Sequence, residues 1–144
     1  MEINYKISVI YVDNGASLLY FVPVYDADRG IIEMDTYFEL GNQASDEELE
    51  STTIKTLEIC HTEEPDIKRA PPIQQIKKSK SYRKATENIK MVEVLWDKDE
   101  GYSVGYFERG KSGYFSLLDR IYLGGTVNKG QFANAIRKAL ELAR

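Results

Sequence analysis

Eight residues, Gly105-Tyr-Phe-Glu-Arg-Gly-Lys-Ser112, match the spacing of a phosphate-binding loop. Such a loop folds backbone amides around phosphate, which requires small, flexible residues between a buried strand and a helix. Here Tyr106, Phe107 and Glu108 occupy the loop positions, and Gly113-Tyr-Phe-Ser-Leu-Leu118 reads as a strand. The stretch is therefore expected to be a hairpin turn. Cys60 and His61 are the only cysteine and the only histidine. As neighbours at the end of a helix their side chains diverge by about 100°, so they do not converge as a thiolate–imidazole pair. Zinc would need three or four ligands. No catalytic, cofactor or metal residue is assigned, and the chain is expected not to be an enzyme.

The charged residues carry more information. Asp26, Asp28, Glu33 and Asp35 form an acidic cluster without the spacing of a calcium loop, and they read as turn residues beside a strand. Lys68, Arg69, Lys77, Lys78, Lys80, Arg83, Lys84 and Lys90 form one basic patch with Tyr82 among them. It could meet phosphate, but no nucleic-acid motif accompanies it. A solvated face, or a complement to the acidic helix of the same chain, is the expectation. Asp46, Glu47, Glu48, Glu50, Glu58, Glu63, Glu64 and Asp66 form a denser acidic block opposed only by Lys55. It suits a docking face for a basic protein, because complementary charge speeds association and selects partners.

These residues need a scaffold. Met91–Asp97, Tyr102–Arg109 and Tyr114–Leu123 are rich in Val, Tyr, Phe, Ile and Trp and are separated by Gly-containing turns, the signal of an antiparallel meander. Residues 3–25 read as a hairpin about Asn14-Gly15, with Pro23 placing the second strand at an edge or a bulge. Ile31–Leu40 reads as a third strand. Ser45-Asp-Glu-Glu48 is a capping box opening a helix to about Cys60 that buries Leu49, Ile54 and Leu57. Asn128-Lys-Gly-Gln131 caps a final helix whose apolar face is Phe132, Ala135, Ile136, Ala139, Leu140 and Ala143. The fold class is α+β: an antiparallel sheet of about five to six strands packed on two or three helices. About residues 65–90 are expected as a short helix or a poorly ordered loop.

The 144 residues suit a single domain. The net charge of -4 is divided unevenly: -12 over residues 1–66, +7 over 67–90 and +1 over 91–144. No run approaches the ~18 apolar residues of a membrane helix. The first residues lack signal-peptide features, and a lone cysteine argues against secretion, so the cytoplasm is the expected compartment.

Three stretches carry a resemblance: Tyr37-Phe-Glu-Leu-Gly41 with Ser45-Asp-Glu-Glu-Leu-Glu50, the aromatic hairpin Gly101–Arg109, and Leu123-Gly-Gly-Thr-Val-Asn-Lys-Gly-Gln-Phe-Ala-Asn-Ala-Ile-Arg-Lys-Ala-Leu140. In these the chain resembles the small immunity proteins of bacterial contact-dependent growth inhibition and other polymorphic toxin systems. The resemblance implies a non-enzymatic protein that binds one cognate toxin, often a nuclease, and blocks its active site; it carries over no site residues. Steric and electrostatic occlusion would need roughly 1,600 Å² of buried surface with a few aromatic anchors. A small nucleotide- or nucleic-acid-binding protein, and an α+β interaction domain of other role, stay open as alternatives.

Overall fold

The computed structural model describes residues 2–27, 30–66 and 68–144. Both hairpin regions join one antiparallel sheet. β1 (Tyr5–Asp13) lies between β2 (Leu18–Ala27) and β5 (Ile89–Asp97), followed by β6 (Gly101–Arg109) and β7 (Phe115–Gly124). Two short strands, β3 (Gly30–Glu33) and β4 (Phe38–Gly41), both pair with β2. With α1 (Asp46–Ile59), α2 (Pro72–Ile76), α3 (Tyr82–Ala85) and α4 (Gln131–Leu142), this is the expected α+β class, with seven strands and four helices among the described residues. None of those helices is long and apolar enough to cross a membrane.

The sequence of β1 explains its central position. Ile7, Val9 and Tyr11 point to one face while Ser8, Ile10 and Val12 point to the other, and all six are buried. A strand apolar on both sides is stable only between two covering layers. Ile10 and Val12 join Leu19, Phe21, Val92, Val94 and Val104 beneath α1 and α4. Ile7, Val9 and Tyr11 join Tyr20, Val22, Val24 and Met91 beneath Ile73 and Ala85, from the segment around α2 and α3.

Several expectations require correction. Ile31–Leu40 is two strands, because Met34 leaves the ladder with its N–H on the carbonyl of Pro23 (2.9 Å). Pro23 is therefore not on an outer edge. β2 pairs on one side through Phe21↔Phe38 and Val24↔Glu33, which leaves Pro23 facing the break between β4 and β3, where no donor is required. Ile54 is 45% exposed, and α1 instead buries Leu49, Thr52, Thr53, Thr56 and Leu57. Thr53 and Thr56 bond the carbonyls four residues back, so their hydroxyls enter the core satisfied. Asn128 is not the cap of α4; Gly130 holds that position at φ +91°. The basic segment folds over the sheet as α2 and α3, with Ile73, Ala85 and Thr86 fully buried. Asp28, one of the four acidic residues expected in turns beside a strand, lies outside the described residues.

Candidate functional site

The acidic block divides into members tied to the fold and members facing solvent. Glu48 completes the capping box with Ser45, each N–H donating to the other's side chain at 3.1 Å. Asp46 pairs with Arg137 of α4 at 2.9 Å, and Glu47 approaches Lys129 at 3.6 Å. Glu50 does more. Its carboxylate accepts the Gly130 N–H on both oxygens (3.0 Å) and the Ala133 N–H on Oε2 (3.2 Å), so α1 caps α4. Asp66 accepts the N–H of Lys68 at 3.0 Å. Glu58, Glu63 and Glu64 are exposed and make no ion pair among the described residues.

The Glu50 contact combines a missing N-cap side chain with the positive end of a helix dipole. Glu50→Ala should cost about 1–2 kcal/mol of stability in urea denaturation. Glu50→Gln, which keeps one carbonyl acceptor, should lose less. An Ala variant as stable as the parent would remove this role.

One of the free acids, Glu58, lines a groove. α1 runs antiparallel to α4, with Asp46 beside Arg137 and Glu50 beside Gly130. α4 begins at Gln131, and the groove lies between its first turn at Phe132, the second half of α1 and the sheet. Its floor is Trp96 and Tyr102, with Ile54, Glu58, Lys6 and Phe132 around it, enclosing about 340 Å³. Tyr102 meets Phe132 edge to face at 5.2 Å, and the Lys6 ammonium lies 5.9 Å from the Trp96 ring centroid. Half-buried aromatic surface beside the unpaired Glu58 carboxylate suits a basic side chain, whose stem packs on a ring while its charge meets an acid. The exposed Ile54 belongs to this groove.

Cys60 and His61 close the other end of α1. β1 and β2 pair only as far as Ser8↔Pro23 and then diverge. His61 fills the gap: its N–H donates to the Val24 carbonyl (3.1 Å) and its Nδ1 accepts the Asp26 N–H (3.0 Å). The proton is therefore on Nε2, which donates to the Tyr5 carbonyl at 2.7 Å. Cys60 is buried, bonds the Ile7 carbonyl at 3.2 Å, and has its thiol pKa raised by burial. Both side chains stitch the strand ends together.

Gly105 to Ser112 forms the end of β6 and the turn into β7, as expected. Gly105 lies mid-strand, and a Cβ there would come within 3.1 Å of the Arg120 Nη1. Its bareness lets Arg120 cross β6 to pair with Glu93 on β5. Gly113, at φ +91°, packs so close to α3 that a Cβ would lie 2.5 Å from the Arg83 Cα. The basic patch does not complement α1: Lys77 pairs with Asp13 at 2.5 Å and Arg69 with Asp35 at 3.6 Å. No three His, Cys, Asp or Glu side chains, the cluster members Asp26, Glu33 and Asp35 included, are grouped to hold a metal among the described residues.

One arrangement was not legible beforehand. Glu33 lies beneath α3, where its Oε1 accepts the Tyr11 hydroxyl at 2.8 Å, and that hydroxyl is 3.1 Å from the Tyr82 hydroxyl. Burial pushes the Glu33 carboxyl up to about 7, partly offset by the Tyr11 bond. Burial also pushes Tyr82 up to about 12 and Tyr11 well above its ordinary value. The only hint in the sequence was a lone Tyr82 among lysines.

Neither a protein-family model nor a curated protein sequence matches the chain. Among solved structures, the chain is similar over its full length to the full length of the "Protein of Unknown Function NMB0488 from Neisseria meningitidis", with a TM-score of 0.75 at 12% identity. At that identity the likeness establishes a shared fold and nothing about activity.

Proposed function

We propose that this protein is a binding protein that neutralises a basic partner domain, acting as a cytoplasmic immunity protein toward a cognate toxin, with nucleases the targets that the charge favours. The observation that carries the reading is the groove over Trp96 and Tyr102, lined by the unpaired Glu58, with the exposed Glu63 and Glu64 following α1 in the chain. Nuclease sites attract polyanions, so an acidic surface with aromatic anchors is a fitting competitor for them. Occlusion needs no chemistry from the inhibitor. Aromatic side chains in the groove would hold the complex, and the acids would steer its formation.

The structure shifts attention within the acidic block. Asp46, Glu47, Glu48 and Glu50 are engaged with Ser45 and the α4 region, which favours the C-terminal end of α1 as the docking face in this reading. Affinity purification of the tagged protein from its native cells, followed by mass spectrometry, should recover one stoichiometric basic domain. With that domain in hand, the triple change Glu58→Lys, Glu63→Lys, Glu64→Lys should slow association at least tenfold at low salt. Trp96→Ala should chiefly speed dissociation, at a cost of about 2 kcal/mol or more. Unchanged kinetics in both variants would remove this face from the interface, and recovery of nucleotide or RNA instead of protein would overturn the reading.

A further inference from the structure

On the opposite face of the sheet from α1 and α4, α3 and the turn after β6 stand over a cleft of about 290 Å³. Three rings wall it. Tyr82 and Tyr114 stack with centroids 5.1 Å apart, and Phe115 meets Tyr82 edge-on at 6.5 Å. Val9 and Met91 contribute apolar floor, and Glu33 and Glu93 line it. The two carboxylates are not equivalent. Glu93 is paired with Arg120, whereas Glu33 uses only Oε1, and its Oε2 is buried without a hydrogen-bond partner among the described residues.

A buried carboxylate oxygen without a donor is costly, and a ligand that supplies an N–H recovers that cost. Aromatic faces add attraction for positive charge, strongest where water is excluded. Apolar floor, ring wall and an orphaned acceptor together fit one ligand chemistry. We propose that this cleft binds an organic cation, an ammonium or guanidinium on a short alkyl stem, which donates to Glu33 Oε2 and lays its stem along Val9 and Met91 beside the tyrosine rings. This site lies on the other face of the sheet from the partner groove and stands independently of it.

The groups facing Glu33 decide how binding responds to pH. Tyr11 faces it from β1, Tyr82 from α3, and Glu93 from β5 with Arg120 of β7 as its partner. Tyr114 stands over the cleft, and Asp35, paired with Arg69, lies on the far side of Glu33. Tyr11 and Tyr82 stay protonated, since both are raised. Glu33 is the group that changes charge near neutrality, so affinity for a cation rises about tenfold between pH 6 and pH 8.

The test uses the full chain, titrated with n-butylamine hydrochloride and agmatine and followed by calorimetry and amide chemical shifts. Both should bind saturably, shift the amides of Glu33, Tyr82 and Tyr114, and gain about tenfold in affinity from pH 6 to pH 8. 1-Butanol, of similar shape but uncharged, should not bind. Glu33→Gln keeps the bond to Tyr11 and should lower affinity tenfold or more. Tyr114→Ala, an exposed position whose loss does not open the core, should lower it several-fold. Binding of 1-butanol equal to butylamine, full affinity in Glu33→Gln, or no saturable binding of either amine would each overturn the proposal. Nα-acetyl-lysine methylamide identifies the source: equal binding points to a lysine side chain of a polypeptide, and exclusion of it points to a free amine, with the cation site upheld in both cases.

Discussion

Glu33→Gln should leave the protein as stable as the parent near pH 4 and make it more stable by roughly 2–4 kcal/mol at pH 8. The magnitude follows from a carboxyl raised from 4.5 to about 7 by burial, at about 1.4 kcal/mol per unit. The sign follows from proton counting. Between those two values the folded state keeps a proton that the unfolded chain has released, so the parent loses stability as pH rises through that window and levels off above it. Glutamine matches the protonated carboxyl in shape and still accepts from Tyr11, so it removes the slope without opening a cavity. The remaining charges near Glu33, the Glu93–Arg120 and Asp35–Arg69 pairs, are common to both proteins and cancel in the difference. Urea denaturation from pH 4 to 8.5 reads it directly. Parallel stability profiles would mean that Glu33 ionises as readily folded as unfolded.

The elements whose signals are local were legible in the sequence. Val, Tyr and Phe runs with glycine turns led to β5, β6 and β7, Ser45 with Glu48 led to α1, and the 3.6-residue spacing of Phe132 to Ala139 led to α4. The errors share a physical origin, which is that tertiary partners supplied what local chemistry lacked. Asn128 had the right side chain for a cap, but Glu50, eighty residues earlier, delivered a charged acceptor to the same helix end. Ile54 looked like core because it is apolar, while buried threonines on their own helix carbonyls took the core positions. Pro23 suggested an edge because a break between two partner strands cannot be seen in β2 itself.

The candidate sites followed the same division. The acidic block could be read as a block, but which acids were free could not, because Arg137, Lys129 and Gly130 reach it only through the packing of α4 on α1. The Glu33 cleft needed still more: β1, β3, α3 and the start of β7 bring together residues as far apart in the chain as Ile7 and Phe115, 108 positions. Its key member, Tyr82, stood in a stretch that charge made look solvated. The lysines of that stretch are indeed mostly exposed, but Ile73, Ala85 and Thr86 between them are buried.

That layer has a charged anchor, and removing it should have the second large effect. Lys77→Met should destabilise the protein by about 2–4 kcal/mol. Asp13 ends β1 with its side chain only 3% exposed, held by the Lys77 ammonium at 2.5 Å on Oδ2 and by the Ala16 N–H at 3.1 Å on Oδ1. Breaking a buried pair by removing one partner strands the other charge, typically at 3–5 kcal/mol, and Lys77 keeps enough contact with water to place this case toward or below the lower end. The cost should fall on the stranded charge rather than on lost packing, since methionine retains the stem. Asp13→Asn added to Lys77→Met should therefore recover most of the loss, because asparagine still accepts from Ala16 and carries no charge to strand. Hydrogen exchange locates the effect: amides of Ile73 to Ala85 should exchange faster in Lys77→Met, while those of α1 and α4, on the other face of the sheet, change little. A double variant as unstable as the single one would show that Lys77 acts through its stem, and the layer would then be held by Ile73 and Ala85 alone.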